Sequence, residues 1–558
     1  MNDRKYHKII ALFAAVLALS FTAASSLSAG TALPRSYDLR EKGWLSPVKQ
    51  QHPDGKPFGV CWSMSMTAAV ESSLISQGLM KSKESLSVWY QVYYTFNDEG
   101  AGLPAFEAGS EEYYNDGGTV FQAAALYARG TGPLFESRAP YPEHIAAVYK
   151  PEARPRDFKV TGVYFLSDDL HLLKNSDTVN IYNDGEARVK LLKETILDCG
   201  ALAVDIFHPD EDPEEGVPDD LQLISSSGAY FTGIFGQGRP NHSVLIVGWD
   251  DGFSRDKFGG VYSPDMKPRA DGAWVVRNSW GTEYGDGGYY YVSYEEASLC
   301  NGSAFIAGRA AGNENVYQYD PLGLVGFIGD GRYIEPEEES GPDPEEEPVP
   351  EEEEPEGEEG EDGAAGRVCA SSDYGMESSA FANIFTAKRD ESLTAVAFYT
   401  PLPNAECEVS IYTGCAGSPV SGARRLAFAR SLKYAGYNTL VLPSPVSVAA
   451  GENFSVTVKL TTPGRVVRRI PVEYPSRDEE TDKSTCEKGR CWKSSNGTEW
   501  TDLCSPTWDE GNVCLKAFAA PRNEAGSGCR AGWAALSVLA ALPALGKRRQ
   551  RSPRVSRS

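Results

Sequence analysis

The stretch GKPFGVCWSMSMTAAVES, residues 55–72 of a 558-residue chain, sets a cysteine directly before a tryptophan and a helical pattern. Trp62, Met66, Ala69, Val70 and Leu74 recur at helical spacing, and no Pro or Gly intervenes until Gly78. The preceding DGKPFG is a loop by composition, so Cys61 is expected on the first turn of a helix. The unpaired N–H groups and the dipole at that end favour a thiolate, which is the nucleophilic form of cysteine. Taken alone, Cys61 still reads as a packed core thiol, as most free cysteines do. Residues elsewhere in the chain decide between the two.

Working outward, the length exceeds one ordinary core and calls for two or three domains. The formal charge of −25 is uneven: Glu335 to Asp362 carries 17 Asp or Glu and no Lys or Arg, which leaves the remainder near −8. The acidity therefore says nothing about substrate, and an acidic surface argues against nucleic acid as a partner. The N-terminus has Arg4, Lys5 and Lys8, then the apolar IIALFAAVLALSFTAA, then small residues, in the order of a secretory signal cut between Ala24 and Gly30. A retained anchor is the alternative. Export would put the 11 cysteines in an oxidising compartment, and the odd count leaves at least one unpaired in a monomer.

Four segments carry the chemistry, the Cys61 stretch and three others. SPVKQQH lies upstream; RPNHSVLIVGWDD and GAWVVRNSWGTEYGDGGYYYVSY lie downstream. Together with LPRSYDLREKGWLSPVKQQ, NDGGTVFQAAALYARGTGPLFESRAPYP and CGALAVDIF, in that chain order, they resemble the papain family of cysteine peptidases over residues 33–312. The resemblance implies an α+β two-lobed peptidase domain. Cys61 would be the nucleophile, and His242, opening a strand-like run from Ser243 to Trp249, its proton partner. Asn278 would hold the imidazole in the productive tautomer. Gln51 and the Cys61 backbone N–H would bind the oxyanion, with Gln50 the competitor for the glutamine role. Trp280 would shield the His–Asn bond, Gly117 and Gly118 would form the edge that pairs with substrate backbone, and Asp205 would fall near the pocket for the second residue before the cut. No metal or organic cofactor is needed.

Two departures stand out. Phe58 occupies the position of the family's first bridging cysteine, and Asn115 that of its partner, so the disulfide beside the nucleophile is absent as a pair. His242 and Asn278 lie 181 and 217 residues after Cys61, beyond the about 130–150 of the family signature. HPDEDPEEGVPDD and DDGFSRDKFGGVYSPDMKPRADG read as surface loops that account for the excess. Only a few residues separate the signal from LPRSYDLR, so no inhibitory propeptide is expected.

Residues 313–334 and 367–521 carry short strands such as NFSVTVKL, where Phe454, Val456, Val458 and Leu460 alternate with polar residues. The pattern indicates an all-β sandwich. VYQYDPLG, LTAVAFYT, YNTLVLP and NVCLKAF in particular resemble the lectin-like domain that follows some bacterial papain-like peptidases. The acidic, Pro-rich segment 335–366 is expected to be a disordered insertion in it. Cys407 and Cys415 flank a turn and could bridge. Cys486, Cys491, Cys504 and Cys514 read as disulfides or a metal site, export favouring disulfides, with connectivity open. Residues 524–558 combine a small-residue cysteine motif at Cys529, an apolar run and a basic end. They resemble the Synergist-type C-terminal sorting signals, which implies a sorting protease and a membrane as partners and Cys529 as the processing residue.

These readings converge on an exported cysteine endopeptidase, held at the cell surface or outer membrane or released. Its substrates would be proteins or peptides, and its β-domain would meet surface glycans. The alternatives are an adhesin or carbohydrate-binding protein on an inactive papain-like scaffold, and a transpeptidase using the same acyl-enzyme.

Overall fold

Residues Cys61–Ser76 form a single helix whose side chains from Trp62 to Ile75 are all buried. Its Met, Ala and Leu residues propagate a helix readily. Its Ser and Thr side chains fit between neighbours because each finds a partner: Thr67 donates to Gln91 Oε1 at 2.6 Å, and Ser72 Oγ accepts from Ala201 N–H at 3.1 Å. Glu71, fully buried, accepts from Ser46 Oγ, from Lys49 Nζ at 3.0 Å and from Leu86 N–H at 2.6 Å. That carboxylate ties the segment leading to Gln51 onto the helix that begins at Cys61. A buried charge is tolerated only when its lone pairs are taken up in this way.

The molecule is described from a computed structural model over residues 32–52, 58–98, 114–115, 117–144, 147–153, 155–166, 185–208, 228–233, 240–259, 265–328, 380–461, 469–474, 484–504 and 511–522. The expected signal at 1–29, the acidic insertion at 335–366 and the tail with Cys529 lie outside these residues.

Strands in the first part are β1 (Ser36–Asp38), β2 (Phe158–Phe165), β3 (Leu202–Ile206), β4 (Ala229–Tyr230), β5 (His242–Asp250), β6 (Ala273–Arg277), β7 (Tyr289–Ser293) and β8 (Cys300–Arg309). Those of the second part are β9 (Asn315–Tyr317), β10 (Gly326–Ile328), β11 (Ala380–Thr386), β12 (Glu391–Thr400), β13 (Ala405–Thr413), β14 (Ala423–Leu432) and β15 (Ala435–Val448). They continue as β16 (Asn453–Thr461), β17 (Ile470–Glu473), β18 (Cys491–Ser494), β19 (Thr501–Asp502), β20 (Asn512–Val513) and β21 (Leu515–Pro521). In the first part, the Cys61–Ser76 helix packs against β3, β5 and β8 and the Val120–Ala128 helix against β2, while the Val88–Phe96 helix packs on those two helices.

The second part is a sandwich. One layer runs β15-β12-β21-β9 and the other β14-β13-β16-β11-β18-β19. Phe454, Val456, Val458 and Leu460 of β16 all enter the core between them, as alternation requires, while Lys459 is exposed. The sequence does not reveal that the first layer continues into the peptidase part. β2 pairs with β8 on one side and with β15 on the other, so a 12-stranded sheet crosses the boundary. The junction is close at Gly436, where a Cβ would stand 2.2 Å from the Val163 carbonyl oxygen and φ is 115°. Glu314, just ahead of β9, receives both Arg156 and Lys159 of the first part in a nearly solvent-free pocket.

Two local expectations change. Cys407 lies in the inner core, whereas Gly414, at φ 73°, turns the chain so that Cys415 joins a cluster with Trp492 on the other face. Both thiols are free, and the bridge between them does not form. Within residues 250–272, read as a surface loop, Phe253 and Phe258 are buried in a small cluster with Phe231.

Candidate active site

Cys61 is the first residue of its helix, and Val60 before it provides no side-chain cap. The first-turn N–H groups are thus left for another acceptor. The next residue, Trp62, is almost wholly buried, and Gly118 lies so close to it that a Cβ would come within 2.4 Å of the indole. Gly117 has φ 80°. The paired glycines are therefore needed by the backbone itself: the first for its left-handed conformation, the second for contact with the tryptophan that anchors the Cys61 helix.

His242 opens β5, and Asn278 directly follows β6, which pairs with β5. His242 Nε2 lies 2.8 Å from Asn278 Oδ1, which also accepts the Ser279 N–H at 2.8 Å. Trp280 covers this pair, its ring 4.8 Å from the imidazole and inclined by 32°. The Cys61 sulfur meets the backbone N–H of Ser243, the residue after His242, so helix start and strand start face each other.

Gln51 is buried and fixed at four points. Its N–H donates to Ser279 O at 2.7 Å, its Nε2 donates to Phe58 O, its Oε1 accepts Ser279 Oγ at 2.8 Å, and its carbonyl accepts Tyr141 Oη at 3.0 Å. Gln50 instead lies at the surface with Nε2 on Trp280 O at 3.1 Å. Of the two glutamines, Gln51 has its amide beside the loop that leads into Cys61. Asp205, on β3, is enclosed: Ser243 Oγ donates to one carboxylate oxygen and Asn301 Nδ2 to the other at 2.8 Å. Burial raises its carboxyl above the usual range, against those two donors.

Burial opposes the charging of either Cys61 or His242 on its own. Burial pushes the Cys61 thiol up to about 11; the Ser243 N–H opposes this and Asp205 adds to it. Burial pushes His242 down to about 4 against the lift from Asn278, with His52 adding to the lowering. For each group, desolvation is the largest influence.

The loop reading of HPDEDPEEGVPDD misses one further residue, His208. Its backbone is clasped by the Asn241 side chain, which accepts the His208 N–H at 2.8 Å and donates to its carbonyl at 2.6 Å. The ring stacks on Tyr230 at 4.9 Å and meets His242 edge-on at 5.1 Å, and among the described residues neither nitrogen has a hydrogen-bond partner. Nothing in the local sequence separates this buried histidine from the acidic run that follows. Burial holds it well below its ordinary pKa, and His242 adds to that.

Both rings are thus neutral when folded, whereas an unfolded chain protonates them below about 6.5. Their folded pKa values are lowered, so the native state is fully favoured above that pH and loses stability as pH falls toward about 4. From His242 alone the loss by pH 5 is about 2 kcal/mol, one pKa unit being about 1.4 kcal/mol. Urea unfolding of the full chain at pH 7 and pH 5 measures it, and His208→Phe should flatten the dependence. A pH dependence left unchanged by His208→Phe would contradict neutral burial of that ring.

Residues 220–307 match the family model described as papain family cysteine protease, and residues 365–519 match that described as lectin like domain. Curated relatives include the senescence-specific cysteine protease SAG12 of Arabidopsis thaliana, 26% identical over 47% of this chain, and human cathepsin L2, 25% identical over 48%. The chain spans 57% and 63% of those proteins' own lengths. Among solved structures, the clostridial cysteine protease Cwp84 after propeptide cleavage superposes with a TM-score of 0.62 at 19% identity, over 87% of this chain and 99% of that one. A structure of the cysteine protease and lectin-like domains of Cwp84 from Clostridium difficile gives 0.61 at 18%, over 88% and 90%. By fold, the chain is a papain-like protease domain followed by a lectin-like all-β domain.

Proposed function

We propose that the chain is an exported cysteine endopeptidase whose reaction runs through Cys61, His242, Asn278 and Gln51. The observation that carries this reading is the His242–Asn278 bond of 2.8 Å, roofed by Trp280, at the strand start that meets the Cys61 thiol. With Nε2 engaged by Asn278, Nδ1 is the ring nitrogen left to exchange the thiol proton. Each group resists charge alone, so proton transfer from Cys61 to His242 creates both charges together. The helix start and Asn278 stabilise that pair, whose net charge is zero. The thiolate attacks the scissile carbonyl, and the oxyanion takes the Cys61 N–H and the Gln51 amide. His242 then protonates the leaving amine and activates the water that cleaves the acyl-enzyme.

Gly118 lies against Trp62, and with Gly117 it would line the cleft as a backbone edge for substrate. Asp205 would favour a basic side chain at the second residue before the cut, though its oxygens are already engaged by Ser243 and Asn301. The signal-like start, the tail with Cys529 and the likeness to a protein described as surface layer associated support export and a place at the cell surface. The lectin-like part would meet surface glycans there.

Full-length protein incubated with a fluorogenic peptide library should cleave it, and brief treatment with a thiol alkylator should stop cleavage. Cleavage that survives complete alkylation of Cys61 would end the reading. Peptide joined to an added amine acceptor in place of hydrolysis would identify a transpeptidase.

A further inference from the structure

The β18–β19 hairpin closes one edge of the six-stranded sheet, with Trp492 opposite Asp502 and Lys493 opposite Thr501. Its open end is drawn together by hydrogen bonds. Leu503 N–H donates to Cys491 O at 2.9 Å, and the Asp502 carboxylate accepts Gly489 N–H at 2.7 Å and Cys504 N–H at 3.0 Å. Before β18 the chain makes a turn in which Arg490 N–H donates to Glu487 O at 3.2 Å and Arg490 Nε to Glu487 Oε1 at 2.9 Å. This turn brings Cys486 back beside Cys504, near enough for the two thiols to influence each other, and both are free thiols.

Access separates this pair from the other cysteines described in the β-domain. Cys486 and Cys504 are partly exposed, whereas Cys407, Cys415, Cys491 and Cys514 are buried. The sulfurs of the buried set rest on other groups: Cys491 on Asn512 Oδ1 at 3.7 Å, Cys514 on Gly323 O at 3.4 Å, Cys415 on Pro419 O at 3.7 Å. A thiol oxidant needs to reach one sulfur, and the second must already be adjacent. Among the described residues no three metal-type side chains converge.

We propose that Cys486 and Cys504 form a disulfide that fastens the hairpin at the edge of the lectin-like sheet. The oxidant is a small-molecule disulfide such as oxidised glutathione, or the disulfide of a thiol oxidoreductase. One cysteine, as thiolate, attacks it, forming a mixed disulfide and releasing one thiol. The second cysteine loses its proton, attacks the protein-side sulfur and releases the second thiol. Two protein thiols are thereby oxidised by two electrons, and one disulfide is reduced to two thiols. The bridge closes a loop short enough to keep its two strands in register when the edge frays.

The test uses the full chain oxidised with the glutathione couple, alkylated under denaturing conditions without reduction, then digested with trypsin and a glutamate-specific protease. These cuts put Cys486, Cys491, Cys504 and Cys514 on separate peptides. The expected result is one linked pair containing Cys486 and Cys504, lighter than the sum of its halves by two hydrogens, with Cys491 and Cys514 alkylated. Reduction with dithiothreitol should lower the thermal midpoint of the wild type by about 5 °C. Cys486→Ser and Cys504→Ser should each start at that lower midpoint and not move on reduction. Cys486 alkylated in the oxidised protein, Cys486 linked to Cys491, or thiols protected by one bound zinc with no linked peptide would each overturn the proposal.

Discussion

Replacing Cys61 with alanine is expected to reduce peptide hydrolysis by about 10⁴–10⁶-fold in kcat, the scale seen when a triad nucleophile is removed. The remaining rate would come from substrate positioning and the oxyanion donors, which the variant keeps. Stability should change by no more than about 1 kcal/mol. Alanine is a better helix former than cysteine, and the substitution removes one sulfur at a partly exposed helix start. A variant that folds, by circular dichroism and urea midpoint, yet hydrolyses peptides at the parent rate would remove Cys61 from the mechanism. The same assay weighs the adhesin alternative, since a scaffold with an idle site would show no difference between the two proteins.

The residues around Cys61 were legible in sequence because each bears a local signature. An uninterrupted helical run follows the cysteine, an apolar run follows His242, and Asn278 and Trp280 sit in a short turn between β6 and β7. The fold brings them together: Gln51 bonds Ser279, His242 bonds Asn278 and stacks under Trp280, and Cys61 meets Ser243. What local patterns cannot encode is the environment. The desolvation that raises the Cys61 pKa comes from neighbours distant in sequence, and the same is true of His208, whose burial depends on Tyr230, His242 and Trp280. The pairing of β2 with β15 joins segments more than two hundred residues apart. Strand alternation announces each strand without naming its neighbour. The opposed faces of Cys407 and Cys415 hinge on the single left-handed turn at Gly414.

Phe58→Ala is expected to damage both stability and rate, because Phe58 does by packing what a disulfide does in the family this domain resembles. The ring is wholly buried between Tyr114 at 5.4 Å and Tyr141 at 5.7 Å. Its carbonyl accepts the Gln51 amide, and the hydroxyl of Tyr141 donates to the Gln51 carbonyl at 3.0 Å. The following Gly59 lies on Asn115, so closely that a Cβ would stand 2.2 Å from its carbonyl oxygen. One aromatic group thus fastens the loop to residues 114–115 on one side and to Gln51, the proposed oxyanion donor, on the other. Truncation should cost about 3–5 kcal/mol of unfolding free energy, the range for a phenylalanine removed from a packed core. It should also lower kcat by about 10–100-fold, since an amide displaced by a fraction of an ångström no longer meets the developing charge. KM should change little, because the group acts on the transition state and not on substrate binding. Phe58→Leu refills most of the volume and should recover most of the stability while restoring the carbonyl's position, and with it the rate. If Phe58→Ala unfolds more easily but turns over at the parent kcat, the ring is only core, and the Gln51 amide is held in place without it.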